Sequence, residues 1–262
     1  VIAEDKSGPG VAGDKRPGSR EGNKGMKLGQ LLPVLDEKEL FGDEQQEIRS
    51  IVSHSGSAGA HSLFVAIAGL RVDGHDFLEA VYQAGTRAFV TQKPFSKPDA
   101  ATIVVPDSRH ALSLLAAQFY GHPSRQAALV GITGTNGKTT TTYLIESILQ
   151  HAGFAVGVLG TVAYRCGSLQ RPAAQTTLEP MELQNILRDM VDGGAQYLVM
   201  EVSSQGLDQR RVDGCQFDVG VFTNLTPEHL DYHQTLENYF QSKERFFTQV
   251  LAGSAKQKVL AV

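Results

Sequence analysis

The sequence predicts an α/β protein in which a small α/β domain precedes a larger, doubly wound and mostly parallel sheet. Short apolar runs alternate with helical stretches from about Leu63 onward, a pattern typical of parallel sheets with crossover helices. A glycine-rich loop separates one such run from a helical stretch near residue 134. A break containing Gly, Pro and Ser at residues 120–126 divides the pattern in two.

The first domain is predicted over residues 26–122. Its strands and helices follow from five segments in chain order: "LFVAIAG", "DFLEAVYQAG", "RAFVTQ", "ATIVVPDS" and "ALSLLAAQFYG". Residues 1–25 are rich in glycine and charged residues and almost lack apolar ones. They are therefore predicted to be a disordered extension.

The second domain is predicted over residues 123–262. The strand "ALVGIT" leads through the glycine loop into a helix from Lys138 to His151. The remaining predicted elements are the strand "AVGVLGT", a polar loop, the helix "EPMELQNILRDMVDGG" and the strands "AQYLVMEV" and "FDVGVFTNL". The final "KQKVLAV" is predicted to be a strand that has just begun, which suggests that this domain is incomplete in the 262 residues.

Composition and charge exclude several classes of function. The chain is 41% hydrophobic and 20% charged, as in globular proteins, and no apolar run approaches the roughly 18 residues of a membrane span. The net charge of −4 comes from interspersed signs, which argues against nucleic-acid binding. Cys166 and Cys215 lie far apart and in no metal-binding spacing, so a reducing cytoplasm is predicted. A monomer without membrane contact is expected.

The loop between the strand and the helix is a candidate phosphate site. Backbone N–H groups of such a loop can cradle a phosphate, while Lys138 reaches the terminal phosphates and Thr139 ligates Mg²⁺. The second domain is therefore predicted to be P-loop ATPase-like. Ile132 stands where the common G-x-x-x-x-G-K-[ST] pattern has its first glycine, so an ordinary glycine-rich turn is the alternative. The candidate nucleotide-binding residues are Gly134, Thr135, Asn136, Gly137, Lys138, Thr139 and Thr140.

Metal-capable side chains follow two other predicted strands. Glu201 ends an apolar run, and ligands of open α/β sheets gather beyond the carboxyl ends of strands, so Glu201 could hold the metal of a bound nucleotide. A carboxylate that only caps the next turn is the alternative. "TNLTPEHLDYH" offers His229, Asp231 and His233 after another strand, and three such groups favour a metal site, although a lone histidine is more often structural.

A lysine lies among aromatic residues in "TLENYFQSKERFF". Lys243 is three or four residues from Tyr239, Phe240, Phe246 and Phe247, on the same helix face. One interpretation is snorkelling, with a buried stem and an ammonium at the rim. The other is that burial lowers the lysine pKa and leaves a neutral amine, which could react with CO₂ to give a metal-binding carbamate.

Five motifs in order resemble the Mur ligase family: "GITGTNGKTTT", the pair Thr176–Thr177, "MEVSSQGL", "NLTPEHLDYH" and "SKERFF". The likeness covers about Met26 to Val262, and five ordered motifs are specific where one alone would be weak. The resemblance implies ATP bound at Lys138 and Thr139, with a first Mg²⁺ on Thr139 and Glu201. It also implies a second Mg²⁺ on His229 and a carbamylated Lys243, so that Lys138, His229 and Lys243 are the implied catalytic residues.

The same resemblance implies a substrate site. The positions that match contacts to a UDP-muramoyl dipeptide are Gln175, Thr176, Thr177, Ser203 and Arg211. "LFVAIAGLRVDGHDF" resembles the N-terminal domain that holds the uridine end, with Ser55 in that site. Two positions depart from the family pattern: Gly56 stands where an arginine is common, and Gln205 where a histidine is common.

The implied reaction is ATP-dependent amide-bond formation in peptidoglycan precursor synthesis. The D-glutamate carboxylate of UDP-N-acetylmuramoyl-L-alanyl-D-glutamate would form an acyl phosphate, which the amine of a third amino acid, diaminopimelate or lysine, then attacks. The family's third domain is not within the 262 residues, so the chain alone is expected to bind ATP without forming the amide bond. The alternatives are a folylpolyglutamate synthetase-like ligase and a non-catalytic fragment that binds ATP or a UDP-sugar.

Overall fold

The computed structural model describes residues 25–69 and 72–261. The predicted disordered extension lies outside the described residues, apart from Gly25. Within the described ranges, no helix combines the length and the apolar character needed to cross a bilayer. The described residues form two large sheets, each with helices on both faces, and one small two-stranded sheet, so the predicted fold class is confirmed.

The first sheet has five strands. The elements of this part are β1 (Met26–Lys27), α1 (Leu28–Leu31), β2 (Glu39–Phe41), β3 (Glu47–Ile48), β4 (Ser50–Val52), β5 (Ser62–Val65), α2 (Leu78–Gln83), β6 (Ala88–Thr91), β7 (Ala101–Val104) and α3 (Ser108–Phe119). The strand order is β2-β7-β6-β5-β4, with β2 antiparallel to β7 and the other pairs parallel, while β1 and β3 form a small antiparallel pair. The elements before β5 were not predicted.

Alternation of burial places one core on each face of this sheet. Leu63, Val65 and Val90 pack with α1 and α3 on one face. Phe64 and Phe89 pack with α2 on the other face. Strands buried on both faces are typical of parallel sheets, and every residue of β5 and β6 is buried.

The second sheet has seven strands. Its elements are β8 (Ala128–Thr133), α4 (Lys138–His151), β9 (Val156–Leu159), β10 (Ala163–Cys166), β11 (Leu169–Pro172), α5 (Pro180–Asp192), β12 (Tyr197–Glu201), α6 (Ser204–Asp208), β13 (Val219–Phe222), α7 (Leu230–His233), α8 (Leu236–Arg245), a π-helical segment (Phe246–Leu251) and β14 (Val259–Ala261). The order is β11-β10-β9-β12-β8-β13-β14. The five strands from β9 to β14 in this order are parallel, so β8 lies between β12 and β13 and their carboxyl ends meet.

One prediction within this sheet is wrong. The segment predicted as a polar loop after β9 contains the antiparallel hairpin of β10 and β11, which extends the sheet at one edge. The hairpin was concealed because β11 is polar and largely exposed and β10 is only partly buried, so neither strand shows the apolar run that predicts a buried strand. Tyr164 is buried in this hairpin, and its hydroxyl donates to the backbone carbonyl of Gln175 at 2.5 Å.

The two sheets contact each other through α3 and α5. Met181 of α5 belongs to the core of the first sheet. The Ser113 hydroxyl of α3 donates to the backbone carbonyl of Arg211 at 3.1 Å and accepts from the backbone N–H of Gly214 at 2.9 Å. The turn that carries Arg211 is therefore held by a helix of the first sheet. The boundary at residues 122 and 123 stays a prediction.

Candidate active site

The glycine loop joins β8 to α4 in the predicted strand–loop–helix arrangement. Gly134 and Gly137 have φ values of +142° and +86°, a region that residues with a Cβ rarely adopt. A Cβ at Gly134 would lie 2.0 Å from the Thr223 hydroxyl oxygen. The loop is held at the end of β13, since the backbone N–H of Asn136 donates to Asn224 Oδ1 at 3.0 Å and Thr223 Oγ1 donates to the Asn136 carbonyl at 2.7 Å. These contacts therefore hold the loop after β8 in one conformation, which distinguishes it from an ordinary glycine-rich turn.

Lys138 begins α4 and folds back over the loop. Its ammonium donates to the carbonyl oxygens of Gly134 and Thr135, each at 2.8 Å. Burial lowers the pKa of Lys138, and the negative charges of Glu201 and Glu228 oppose that shift. The amine thus lies within the loop and close to carboxylates that favour its charged form.

Glu201 ends β12 beside the loop, and its side chain is buried. Oε2 accepts from the hydroxyls of Thr139 and Thr161, both at 3.0 Å, and Oε1 accepts from the backbone N–H of Thr161 at 3.2 Å. The carboxylate therefore points at the start of α4 rather than capping the turn after β12. Thr161 was not predicted, although it follows β9, whose carboxyl end lies next to that of β12.

A cavity of about 250 Å³ lies over these groups. It is lined by Thr135, Asn136, Gly137, Lys138, Thr139, Thr140, Thr161, Thr176, Glu201, Ser203 and His229. The cavity therefore brings together candidates that are far apart in the sequence. They are the nucleotide-loop candidates other than Gly134, the carboxylate of Glu201, and Thr176 and Ser203 of the substrate candidates. A glycine loop, a helix N-terminus and a buried carboxylate on the next strand are typical of α/β proteins that bind nucleoside triphosphates.

Lys243 lies beneath the loop. Its side chain is 1% exposed, and its ammonium donates to the Gly134 carbonyl at 2.9 Å and lies 4.4 Å from the centre of the Tyr239 ring. The snorkelling interpretation is wrong, because the nitrogen is buried with its stem. Burial, and then the positive charge of Lys138, lower the pKa of Lys243 to about 7, against the attraction of Glu228.

The three metal-capable groups after β13 separate in the structure. His229 lines the cavity, with a half-exposed side chain. His233 is buried instead, with its ring nitrogens 2.9 Å from Ser204 Oγ and 3.3 Å from Ser242 Oγ. Asp231 is exposed. In the described part of the chain no three His, Cys, Asp or Glu residues are grouped closely enough to hold a metal, so the predicted trio is wrong.

Four of the six substrate candidates form one hydrogen-bonded group beside the cavity. Thr177 Oγ1 accepts from the backbone N–H of Ser203 at 2.9 Å and donates to the carbonyl of Glu201 at 3.2 Å. Arg211 Nη1 donates to Gln175 Oε1 at 2.9 Å and to the Thr177 carbonyl at 2.7 Å.

The other two candidates are placed differently. Thr176 lines the cavity, and its hydroxyl lies 3.0 Å from the Thr161 hydroxyl. Ser55 lies after β4 of the first sheet, in a short 3₁₀ turn, and does not line the cavity.

Replacing Lys243 by methionine is expected to raise the free energy of unfolding at pH 7, on the order of 2–4 kcal/mol. The folded-state pKa of about 7 lies below the ordinary lysine value of 10.5, so the unfolded wild type binds more protons between these two pH values. Wild-type stability therefore rises with pH in this window, and the advantage of the variant shrinks toward pH 10.5. The Gly134 carbonyl keeps Lys138 as a donor in the variant.

This difference is measured by urea denaturation from pH 6 to pH 10 in CO₂-free buffer. Lys258→Met, which replaces an exposed lysine before β14, is the control. Its free energy of unfolding should differ from that of wild type by an amount that does not depend on pH. A methionine variant less stable than wild type at pH 7, or a gap that stays constant with pH, would contradict the assignment of a buried, weakly basic amine.

The comparisons with known proteins agree with the class of α/β proteins that bind nucleoside triphosphates. The model of the Mur ligase middle domain matches residues 132–260, and the model "Mur ligase family, catalytic domain" matches residues 47–120. The chain belongs to the Mur ligase family.

The similar curated proteins are UDP-N-acetylmuramoyl-L-alanyl-D-glutamate--2,6-diaminopimelate ligases. The one from Geobacter metallireducens is 50% identical over 228 residues, which are 87% of this chain and 45% of that protein. The one from Geobacillus thermodenitrificans is 44% identical over 225 residues, 86% of this chain and 46% of that protein. The chain thus spans about half the length of the curated relatives it matches.

Solved structures show the same fold. A structure of a ligase with this name superposes with a TM-score of 0.69 at 25% identity, covering 86% of this chain and 45% of that one. A MurF structure from Acinetobacter baumannii superposes with a TM-score of 0.56 at 24% identity, covering 87% of this chain and 47% of that one, and supports the fold alone.

Proposed function

We propose that the chain carries the nucleotide- and substrate-binding part of a ligase that adds 2,6-diaminopimelate to UDP-N-acetylmuramoyl-L-alanyl-D-glutamate with ATP. The observation that carries this proposal is the single cavity in which the glycine loop, Glu201 and the threonine and serine candidates converge. The names of the similar proteins supply the substrate and the amino acid. Cytoplasmic location and a monomeric state stay predictions.

The donor set fits a hard divalent cation with a nucleotide. The Glu201 carboxylate and the Thr139 hydroxyl are adjacent oxygen groups of the kind Mg²⁺ prefers, and they would hold the ion of bound ATP. When bound, Mg²⁺ and ATP supply an activated phosphoryl group and neutralise its charge. Lys138 contributes a positive charge from the chain itself at the same place.

Lys243 and His229 would hold a second Mg²⁺ after carbamylation of the lysine. The neutral amine forms a bond from its nitrogen to the carbon of CO₂, and one proton leaves to solvent. A pKa near 7 makes this amine available at neutral pH. Uncarbamylated Lys243 is cationic or neutral and would not bind Mg²⁺, whereas the carbamate offers two oxygens.

The remaining residues position the acceptor. Thr176 and Ser203 line the cavity, while Gln175 and Thr177 are oriented by Arg211. In this arrangement the chain holds the carboxylate to be activated beside the loop and thereby lowers the entropic cost of bringing two substrates together. The family-model match to residues 47–120 favours this proposal over a folylpolyglutamate synthetase-like ligase.

The test is calorimetric titration of the purified chain with UDP-N-acetylmuramoyl-L-alanyl-D-glutamate, in the presence of Mg²⁺ and a non-hydrolysable ATP analogue. A dihydropteroate substrate serves as the control ligand. Saturable binding of the muramoyl compound, without binding of the pteroate, is expected. Binding of the ATP analogue alone would overturn the substrate assignment and leave a nucleotide-binding fragment.

A further inference from the structure

The Arg211 guanidinium is fully occupied by the protein itself. Nε and Nη2 donate to Gln209 Oε1 at 3.1 and 2.6 Å, and Nη1 donates to Gln175 Oε1 and the Thr177 carbonyl. All of these acceptors are neutral. They fix the plane of the guanidinium without balancing its charge, and the side chain is only 12% exposed.

The charge is balanced by Glu179. Its Oε1 lies 2.7 Å from Arg211 Nη2, and the glutamate side chain is 54% exposed. Glu179 is the N-cap residue of α5, yet its side chain caps no backbone N–H of that helix. Its carboxylate is therefore turned toward Arg211 rather than toward the backbone N–H groups at the start of α5.

A second carboxylate stands close to the ion pair. Glu179 and Glu182 both stand at the start of α5, and burial, followed by the charge of Glu179, raises the pKa of Glu182. Glu179 therefore has a like charge near it whether or not it is paired with Arg211. A released Glu179 would stay at the helix N-terminus, where the helix dipole favours a negative charge.

Arg211 also lies next to the cavity. The two residues that accept from its Nη1, Gln175 and Thr177, flank Thr176, which lines the cavity. A carboxylate that enters beside Thr176 would meet a guanidinium already oriented by neutral acceptors. Such preorganised guanidinium groups bind carboxylates with strong, charge-assisted hydrogen bonds.

We propose that Glu179 is an internal counter-ligand of Arg211, which a carboxylate of the bound substrate replaces at Nη2. This inference rests on the proposed function, because the substrate named there supplies the carboxylate. Glu179 thereby weakens the binding of carboxylate ligands and keeps the guanidinium neutralised while no ligand is present.

The test compares wild type with Glu179→Ala by calorimetry, using UDP-N-acetylmuramoyl-L-alanyl-D-glutamate, which has carboxylates, and UDP-N-acetylglucosamine, which has none. The dissociation constant of the first ligand is expected to fall about fivefold in the variant, the range of a partly exposed ion pair. That of the second is expected to stay unchanged. Glu179→Gln, which keeps the side-chain size, should give a smaller gain in the same direction.

Glu182→Ala is the matched control, since it removes the same charge from the same helix turn without a contact to Arg211. Equal or weaker binding of the muramoyl compound by Glu179→Ala, or an equal gain in Glu182→Ala, would overturn the counter-ligand assignment and leave the proposed function in place. No binding of the muramoyl compound by wild type, with the ATP analogue still bound, would overturn the proposed function and this inference with it.

Discussion

Replacing Lys138 by methionine is expected to weaken the binding of a non-hydrolysable ATP analogue with Mg²⁺ about 100-fold, or about 2.7 kcal/mol. The ammonium lies within the loop, where its two present acceptors are neutral carbonyls, so an incoming phosphate gives it a charged partner instead. The measurement is calorimetric titration of the variant and the wild type at the same salt concentration.

Two further variants make this prediction specific. Lys258→Met removes an exposed lysine just before β14, at the end of the sheet opposite the loop, and should leave the affinity unchanged. Thr139→Val removes the hydroxyl beside Glu201 and should reduce the benefit of Mg²⁺ while nucleotide binding without metal stays near wild type. An affinity of Lys138→Met within threefold of wild type would remove this lysine from the proposed nucleotide site.

Loss of the second metal site is the expected result of Lys243→Ala. Protein equilibrated with ¹³C-labelled bicarbonate should show a carbamate carbonyl resonance in the wild type and none in the variant. In the presence of the ATP analogue and the muramoyl compound, the wild type should bind two Mn²⁺ ions, used as a probe for Mg²⁺, and the variant one. Any amide-forming activity should be lost in the variant, because ATP and the muramoyl compound would lack the charge neutralisation that the second ion provides.

Rescue of Lys243→Ala by a short carboxylic acid would distinguish loss of the carbamate from damage to the fold. Acetate or propionate can occupy the space left by the lysine and supply carboxylate oxygens there. His229 and Lys243 both lie against the Tyr239 ring, so either acid should partly restore the second Mn²⁺. Lys258→Ala should keep both the resonance and two ions. A carbamate resonance that persists in Lys243→Ala, or two ions bound by it without added acid, would place the modification elsewhere.

Much of the fold could be predicted because its signals are local. The helix from Lys138 to His151 has the predicted bounds, and β8 and β12 lie where apolar runs of strand length predicted them. The hairpin of β10 and β11 could not be predicted in this way, because β11 is polar and largely exposed and β10 is only partly buried and pairs with β9.

Metal-capable side chains show the limit of local reasoning. His229 and His233 are four residues apart on one short segment and were equally plausible ligands from the sequence. Only the packing of α7 against α6 and α8 separates them, because it buries His233 between Ser204 and Ser242. His229 precedes α7 as its N-cap residue with a left-handed backbone (φ +55°), so the two side chains do not share the helix face that a spacing of four residues would otherwise give.

The sequence by itself determined the strand–loop–helix unit and the order of the motifs, because turn residues and apolar periodicity act over a few neighbours. The tertiary structure alone decided that Lys243 is buried under the Gly134 carbonyl, and that Thr161 joins Thr139 on Glu201. These contacts join residues 40 or more positions apart. They depend on which strands become neighbours in the sheet and on how α8 packs beneath the loop, which no local pattern specifies.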